Sequence, residues 1–122
     1  MKIQHYSFGR ITIDGKTYTS DVIIYPDRVN SSWWRKEGHF LQMDDLKDVV
    51  NAQPEVIIIG TGYSGVVKVS ENVINKFISM KIDVHVARTT EAVDLFNKIS
   101  DSKRTVASDL CLFKVKLAFS IL

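Results

Sequence analysis

A chain of 122 residues, 45% apolar and 25% charged, has the size and balance of one soluble globular domain spanning 1–122, which excludes a disordered or low-complexity polymer. Sixteen basic and fourteen acidic side chains leave a net charge of only +2, and they are scattered singly, which excludes the gathered basic face of a protein that binds nucleic acid. The single cysteine, Cys111, excludes an intramolecular disulfide and suits a reducing compartment, so a cytoplasmic location is expected.

Met1-Lys2-Ile3-Gln4-His5 runs straight into a strand-like pattern without the apolar core of a signal peptide. Phe8 to Ile13 alternates apolar and polar residues, Asp14-Gly15 is a hairpin signal, and Lys16 to Ser20 continues the alternation on the return. Val22-Ile23-Ile24-Tyr25 is a second apolar run, stopped by Pro26-Asp27, and a further strand is expected over Val29 to Trp34. The period then changes. Met43, Leu46, Val49 and Val50 share one helical face, with Asp44 and Asp45 near the amino end, and Pro54 keeps this helix short.

From Glu55 the pattern reads strand, helix, strand, helix, strand. Val56-Ile57-Ile58-Ile59 is the β-branched run of a strand buried on both faces in a parallel sheet. Ser70 caps a helix whose apolar face is Val73, Ile74, Phe77 and Ile78. Ile82 to Ala87 is the next strand, with Ile82, Val84 and Val86 on one face and Asp83 and His85 on the other. Thr89 or Thr90 caps a helix that buries Ala92, Leu95, Phe96 and Ile99, and a final strand lies within Arg104 to Phe113. A right-handed crossover sets the strands from Glu55 and Ile82 parallel. Residues 114–122 form an extra apolar tail, interrupted by Lys114 and Lys116 and too short to span a membrane.

Gly60-Thr61-Gly62-Tyr63-Ser64-Gly65 matches G-x-G-x-x-G directly after a buried strand. Val66-Val67-Lys68-Val69 separates it from the helix, and the next strand ends at Arg88 where a ribose-binding site needs Asp or Glu. Val66 and Val67 also stand where a P-loop needs Lys and Ser or Thr, and the nucleophile elbow G-x-S-x-G lacks its last glycine. Two readings remain for the loop. Its backbone N–H groups, with Arg88 and Thr89 from the neighbouring strand end, hold an anion or small ligand, or its glycines supply positive φ for a tight connection.

Trp33-Trp34-Arg35, followed by His39, is the other unusual stretch. Adjacent residues on a strand face opposite ways, so one Trp enters the core while the other, beside Arg35, offers a partner surface; packing of both is the alternative. His5, His39 and His85 show no metal-ligand spacing, and neither a metal nor a cofactor is expected. Cys111 reads as a small buried hydrophobe.

Trp34-Arg35 with Glu37-Gly38-His39, Asp45-Leu46, and Pro54-Glu55-Val56-Ile57-Ile58-Ile59-Gly60-Thr61-Gly62 together resemble the Mth-domain family, whose biochemistry is undefined. That family includes an adipogenesis-associated Mth-domain-containing protein of animals and a mitochondrial complex I assembly factor. The resemblance runs from about Tyr6 to about Leu112. It implies an α/β fold: a mixed central sheet with a β-rich N-terminal layer and a βαβ-containing C-terminal half, in three layers. Lys81 replaces a glycine common in the family, and the ending lacks its usual His-x-Thr-Cys-like finish. Without a mitochondrial presequence the chain looks like a stand-alone cytoplasmic relative. No complete catalytic constellation is legible, so the leading expectation is a non-enzymatic interaction or assembly module. The alternative is a small-molecule or anion-binding protein, an enzyme included, using the Gly60–Gly65 loop. The partner is a protein of unknown identity, or a second copy through the Trp33–His39 stretch and the alternating Leu117, Phe119 and Ile121 of the tail.

Overall fold

The structure is a computed structural model that describes residues 1–7, 9–19, 21–31, 40–41, 46–62 and 68–110. The chain begins with a three-stranded antiparallel sheet, β1 (Ile3–Ser7), β2 (Arg10–Ile13) and β3 (Lys16–Tyr18). The turn between β2 and β3 lies where Asp14-Gly15 predicts it. Asp14 at φ +47° and Gly15 at φ +84° both occupy the left-handed region that a two-residue hairpin turn requires. β4 (Val22–Ile24) and β5 (Val29–Asn30) follow, paired antiparallel across the Pro26-Asp27 turn. Of the strand expected over Val29 to Trp34, only the first part lies among the described residues. β6 (Phe40–Leu41) was not anticipated, and the helix expected around Met43 to Val50 is α1 (Lys47–Asn51), with Leu46 and Val49 buried.

The second half runs β7 (Val56–Gly60), β8 (Lys68–Val69), α2 (Glu71–Ser79), β9 (Asp83–Ala87), α3 (Thr89–Ile99) and β10 (Thr105–Leu110). β8 pairs in parallel with β6, a contact between two short segments that no local pattern announces. The central sheet has the order β5-β4-β10-β7-β9. β7, β9 and β10 are parallel and β4 runs against β10, so the sheet is mixed as expected.

Strand alternation divides the core into two. Val22, Ile24, Val56, Ile58 and Ala107 face α3 and the three-stranded sheet, burying Ala92, Val93, Phe96, Ile3, Ile11 and Ile13. Ile23, Tyr25, Ile57, Ile59 and Val106 face α1 and α2, burying Leu46, Val49, Val73 and Phe77. The result is three layers, with the central sheet between α1 and α2 on one side and α3 with the β1–β3 sheet on the other. Asn97 of α3 ties two of these parts together, because its side chain accepts from the Ile3 N–H at 2.9 Å and donates to the Ile3 carbonyl at 2.7 Å.

The ends of α2 show sequence acting directly on backbone geometry. The Ser70 hydroxyl accepts from the Asn72 N–H at 3.1 Å, the cap that its position predicts. At the other end Lys81 donates to Ile78 and Ile82 to Phe77, and Lys81 sits at φ +63°. This is a Schellman closure, whose left-handed position favours glycine and penalises a side chain. Lys81→Gly is therefore expected to raise stability by about 1 kcal/mol, read as a higher urea midpoint at unchanged slope.

Two expected apolar positions are corrected. Ile78 does not join the buried face of α2 but is 58% exposed, and Val86 is 43% exposed although Ile82 and Val84 on the same strand face are buried or half-buried. Both follow from β9 being the edge of the sheet. Val73 and Phe77 already fill the stripe over it, and no further strand lies beside it among the described residues.

Candidate functional site

β7 and β9 lie side by side, and the chain leaves them toward opposite faces of the sheet, from β7 to α2 and from β9 to α3. Such a divergence opens a crevice at the carboxyl ends of parallel strands, the place where open α/β sheets hold ligands. The glycine motif starts there. Gly60 is the last residue of β7 and pairs with Ala87, the last of β9. Thr61 then donates its backbone N–H to the Ala87 carbonyl at 2.9 Å and its hydroxyl to the same oxygen at 3.2 Å.

Gly62 and Thr89 clasp each other. The Gly62 N–H donates to Thr89 Oγ1 at 3.0 Å, and the Thr89 N–H donates to the Gly62 carbonyl at 3.2 Å. The expected cap at Thr89 or Thr90 is corrected accordingly: the residue at the cap of α3 is Arg88, which makes no side-chain cap bond. The Thr89 hydroxyl is buried and already engaged with Gly62. Gly62 has φ +97°, so one glycine of the motif does serve a turn that a side chain would strain.

Gly60, Thr61, Gly62, Arg88 and Thr89 are thus brought together, with Arg88 exposed at the rim. Their geometry also restricts what they do. The N–H groups of Thr61, Gly62 and Thr89 are all spent inside the protein. Tyr63, Ser64 and Gly65 lie outside the described residues, as do Trp33, Trp34, Arg35, His39, Cys111 and the 114–122 tail. His5 and His85 are exposed on β1 and β9, and no group of three or more metal-ligating side chains occurs among the described residues.

Two concave regions lie away from this junction. A polar groove of about 430 Å³ runs along β1 and α3, lined by His5, Tyr6, Thr90, Asp94 and Asn97 among others. A smaller one of about 240 Å³ lies at the opposite end of the central sheet, between the turn after β4 and the end of α1. The first adjoins α3 without reaching Gly60 to Gly62. The second contains residues that sequence reasoning missed, because Tyr25, Asp48 and Arg104 meet only in the folded chain. Among the described residues no helix is long and apolar enough to cross a membrane.

A family model described as a protein of unknown function (DUF498/DUF598) matches residues 3–111. The chain is similar to conserved hypothetical protein PH1505 from Pyrococcus horikoshii OT3, with 27% identity, 91% of this chain and 100% of that one covered, and a TM-score of 0.76. It is similar also to a protein designated MT938, at 24% identity, covering 90% and 98% of the two chains with a TM-score of 0.72. A protein described as an outer membrane protein from Bartonella henselae shares the fold at 20% identity, with 89% and 92% covered and a TM-score of 0.74.

Proposed function

Since the chain belongs to the DUF498/DUF598 family, for which no function is defined, we propose that it is a non-enzymatic protein-interaction module that self-associates through the open edge of β9. One observation carries this reading. Asp83 donates to the Glu55 carbonyl and Ala87 accepts from Thr61, so alternate residues of β9 turn their backbone groups toward β7. Val84 and Val86 consequently turn their N–H and C=O groups outward, where no strand pairs with them among the described residues. The exposed large apolar side chains of the described residues, Ile78, Met80 and Val86, all belong to this same α2–β9 unit.

A second copy fits that edge because the edge is self-complementary. Antiparallel pairing about a two-fold axis at His85 sets each Val84 opposite the other copy's Val86, so all the outward groups find partners. A cytoplasmic location belongs to the same proposal and is supported by the single cysteine of the sequence.

Sedimentation equilibrium of the full chain, of Val86→Lys and of a version ending at Phe113 tests it. A dimer that Val86→Lys weakens about tenfold or more, with circular dichroism unchanged, is the expected result. A monomeric full chain overturns the proposal. So does a dimer lost only on truncation, which would assign self-association to the tail.

A second reading is favoured by the meeting of Gly60 to Gly62 with Arg88 and Thr89 at the β7–β9 crevice. In this reading a small anion is held by Arg88 and by groups of Tyr63 to Gly65. Phosphate binding that disappears in Arg88→Ala with the fold intact would support it, and phosphate binding unchanged by that substitution would remove it.

A further inference from the structure

The smaller pocket lies where β7 and β10 begin, at the far end of the sheet from the glycine motif. Tyr25 is one of its lining residues. Only 1% exposed, it packs among Leu46, Val49 and Ile57, and its N–H closes a turn onto the Arg28 carbonyl at 2.8 Å. Its hydroxyl makes no hydrogen bond to any described residue, and Tyr25 is among the residues that line the pocket. Burial first and the nearby Asp48 carboxylate second raise its pKa, while Arg28 opposes them, so the group remains a proton donor.

The charges around that hydroxyl are of two kinds. Arg28 lies over the Tyr25 ring at 4.0 Å and is paired with Asp27 at 3.1 Å, so these two neutralise each other. Arg104 is anchored differently. Its Nε donates to the Ala52 carbonyl at 3.0 Å and its backbone N–H to Glu55 at 3.0 Å, which fixes the guanidinium at the pocket while its two Nη groups meet no acceptor among the described residues. Asp48 lines the same pocket without an ion-pair partner among the described residues. The pocket is therefore lined by one forked cation and one carboxylate that have no ion-pair partner among the described residues, together with Tyr25 and Asn51.

We propose that this pocket binds a small free α-amino acid, its carboxylate on the Nη groups of Arg104 and its ammonium on Asp48, with the Tyr25 hydroxyl donating to the carboxylate. An isolated oxyanion would meet Asp48 with the same sign of charge, and an isolated amine would meet Arg104 likewise, so a molecule carrying both charges fits where either alone does not. The volume of about 240 Å³ falls below the roughly 300–1,000 Å³ of pockets for larger organic ligands, which restricts the side chain to a short one.

Calorimetric titration with glycine and L-alanine tests this, with acetate and methylammonium as the two half-ligands. Saturable binding of the amino acids, and none of either half over the same range, is expected. Asp48→Asn and Arg104→Gln should each weaken binding about tenfold or more, the loss that follows removal of a charged hydrogen-bond partner. The Asp48 side chain is exposed and makes no hydrogen bond to the described residues, so Asp48→Asn reads out binding even if Arg104→Gln disturbs the fold. No saturable binding of glycine or alanine overturns the proposal. Acetate binding as strongly as glycine, indifferent to Asp48→Asn, also overturns it and makes the pocket an oxyanion site.

Discussion

Replacing Phe77 with alanine is expected to lower the unfolding free energy by about 3–5 kcal/mol, a large part of the about 5–15 kcal/mol that holds a domain of ordinary stability. Phe77 is fully buried on the sheet-facing side of α2 and shares its core with Ile57, Ile59, Val73 and Ile82. Its carbonyl also accepts the Ile82 N–H that closes the helix, so the ring stands beside the turn leading into β9. Truncation removes the ring's transfer free energy and leaves a cavity that the close-packed β-branched strands cannot collapse to fill. The neighbouring Ile78→Ala, at a side chain 58% exposed, should change stability by less than about 0.5 kcal/mol. Urea denaturation of the two variants separates them. Equal losses would mean that α2 packs with a different face.

The second large effect is expected at Thr89. Thr89→Val keeps the shape of the side chain but removes the oxygen that accepts the Gly62 N–H at 3.0 Å, in a position with no solvent access. A buried donor left without an acceptor costs about 1–3 kcal/mol, whereas Thr89→Ser preserves the oxygen and loses only a methyl group. Hydrogen exchange at Gly62 gives the local measurement. Faster exchange in Thr89→Val, and near-native exchange in Thr89→Ser, is expected if this single bond holds the glycine motif against α3. The experiment also bears on the crevice, since the bond that orders Gly62 is one that an anion there would have to leave intact or replace.

Features set by neighbouring residues were legible in the sequence. The Asp14-Gly15 turn needs two left-handed residues in a row, the Ser70 cap needs one oxygen two residues before an N–H, and Val56 to Ile59 is apolar on both faces because both faces are covered. Features that depend on where the sheet ends were not. Ile78 and Val86 fall on a correct apolar periodicity, and only the position of β9 at the edge leaves them in water. Thr89 carries the residue type of a helix cap, and its hydroxyl is taken by Gly62 because β7 and β9 end level with each other. The Tyr25 pocket was illegible for the same reason, being assembled from the turn after β4, the end of α1 and the residue before β10.

The position of β10 has a consequence for the birth of the molecule on the ribosome. Among the described elements β10 is synthesised last, yet it lies in the middle of the central sheet, where Ala107 pairs with Ile24 on one side and with Ile58 on the other. The nascent chain therefore emerges with β4 and β7 unable to join across the gap, each presenting an apolar edge that only a segment still to be translated can cover. The β1–β3 meander can form early from local contacts, whereas closure of the main sheet waits for an encounter between opposite ends of the chain, a high-contact-order step that is correspondingly slow. During that interval the half-made sheet is vulnerable to aggregation, and folding is completed only after synthesis has passed residue 110.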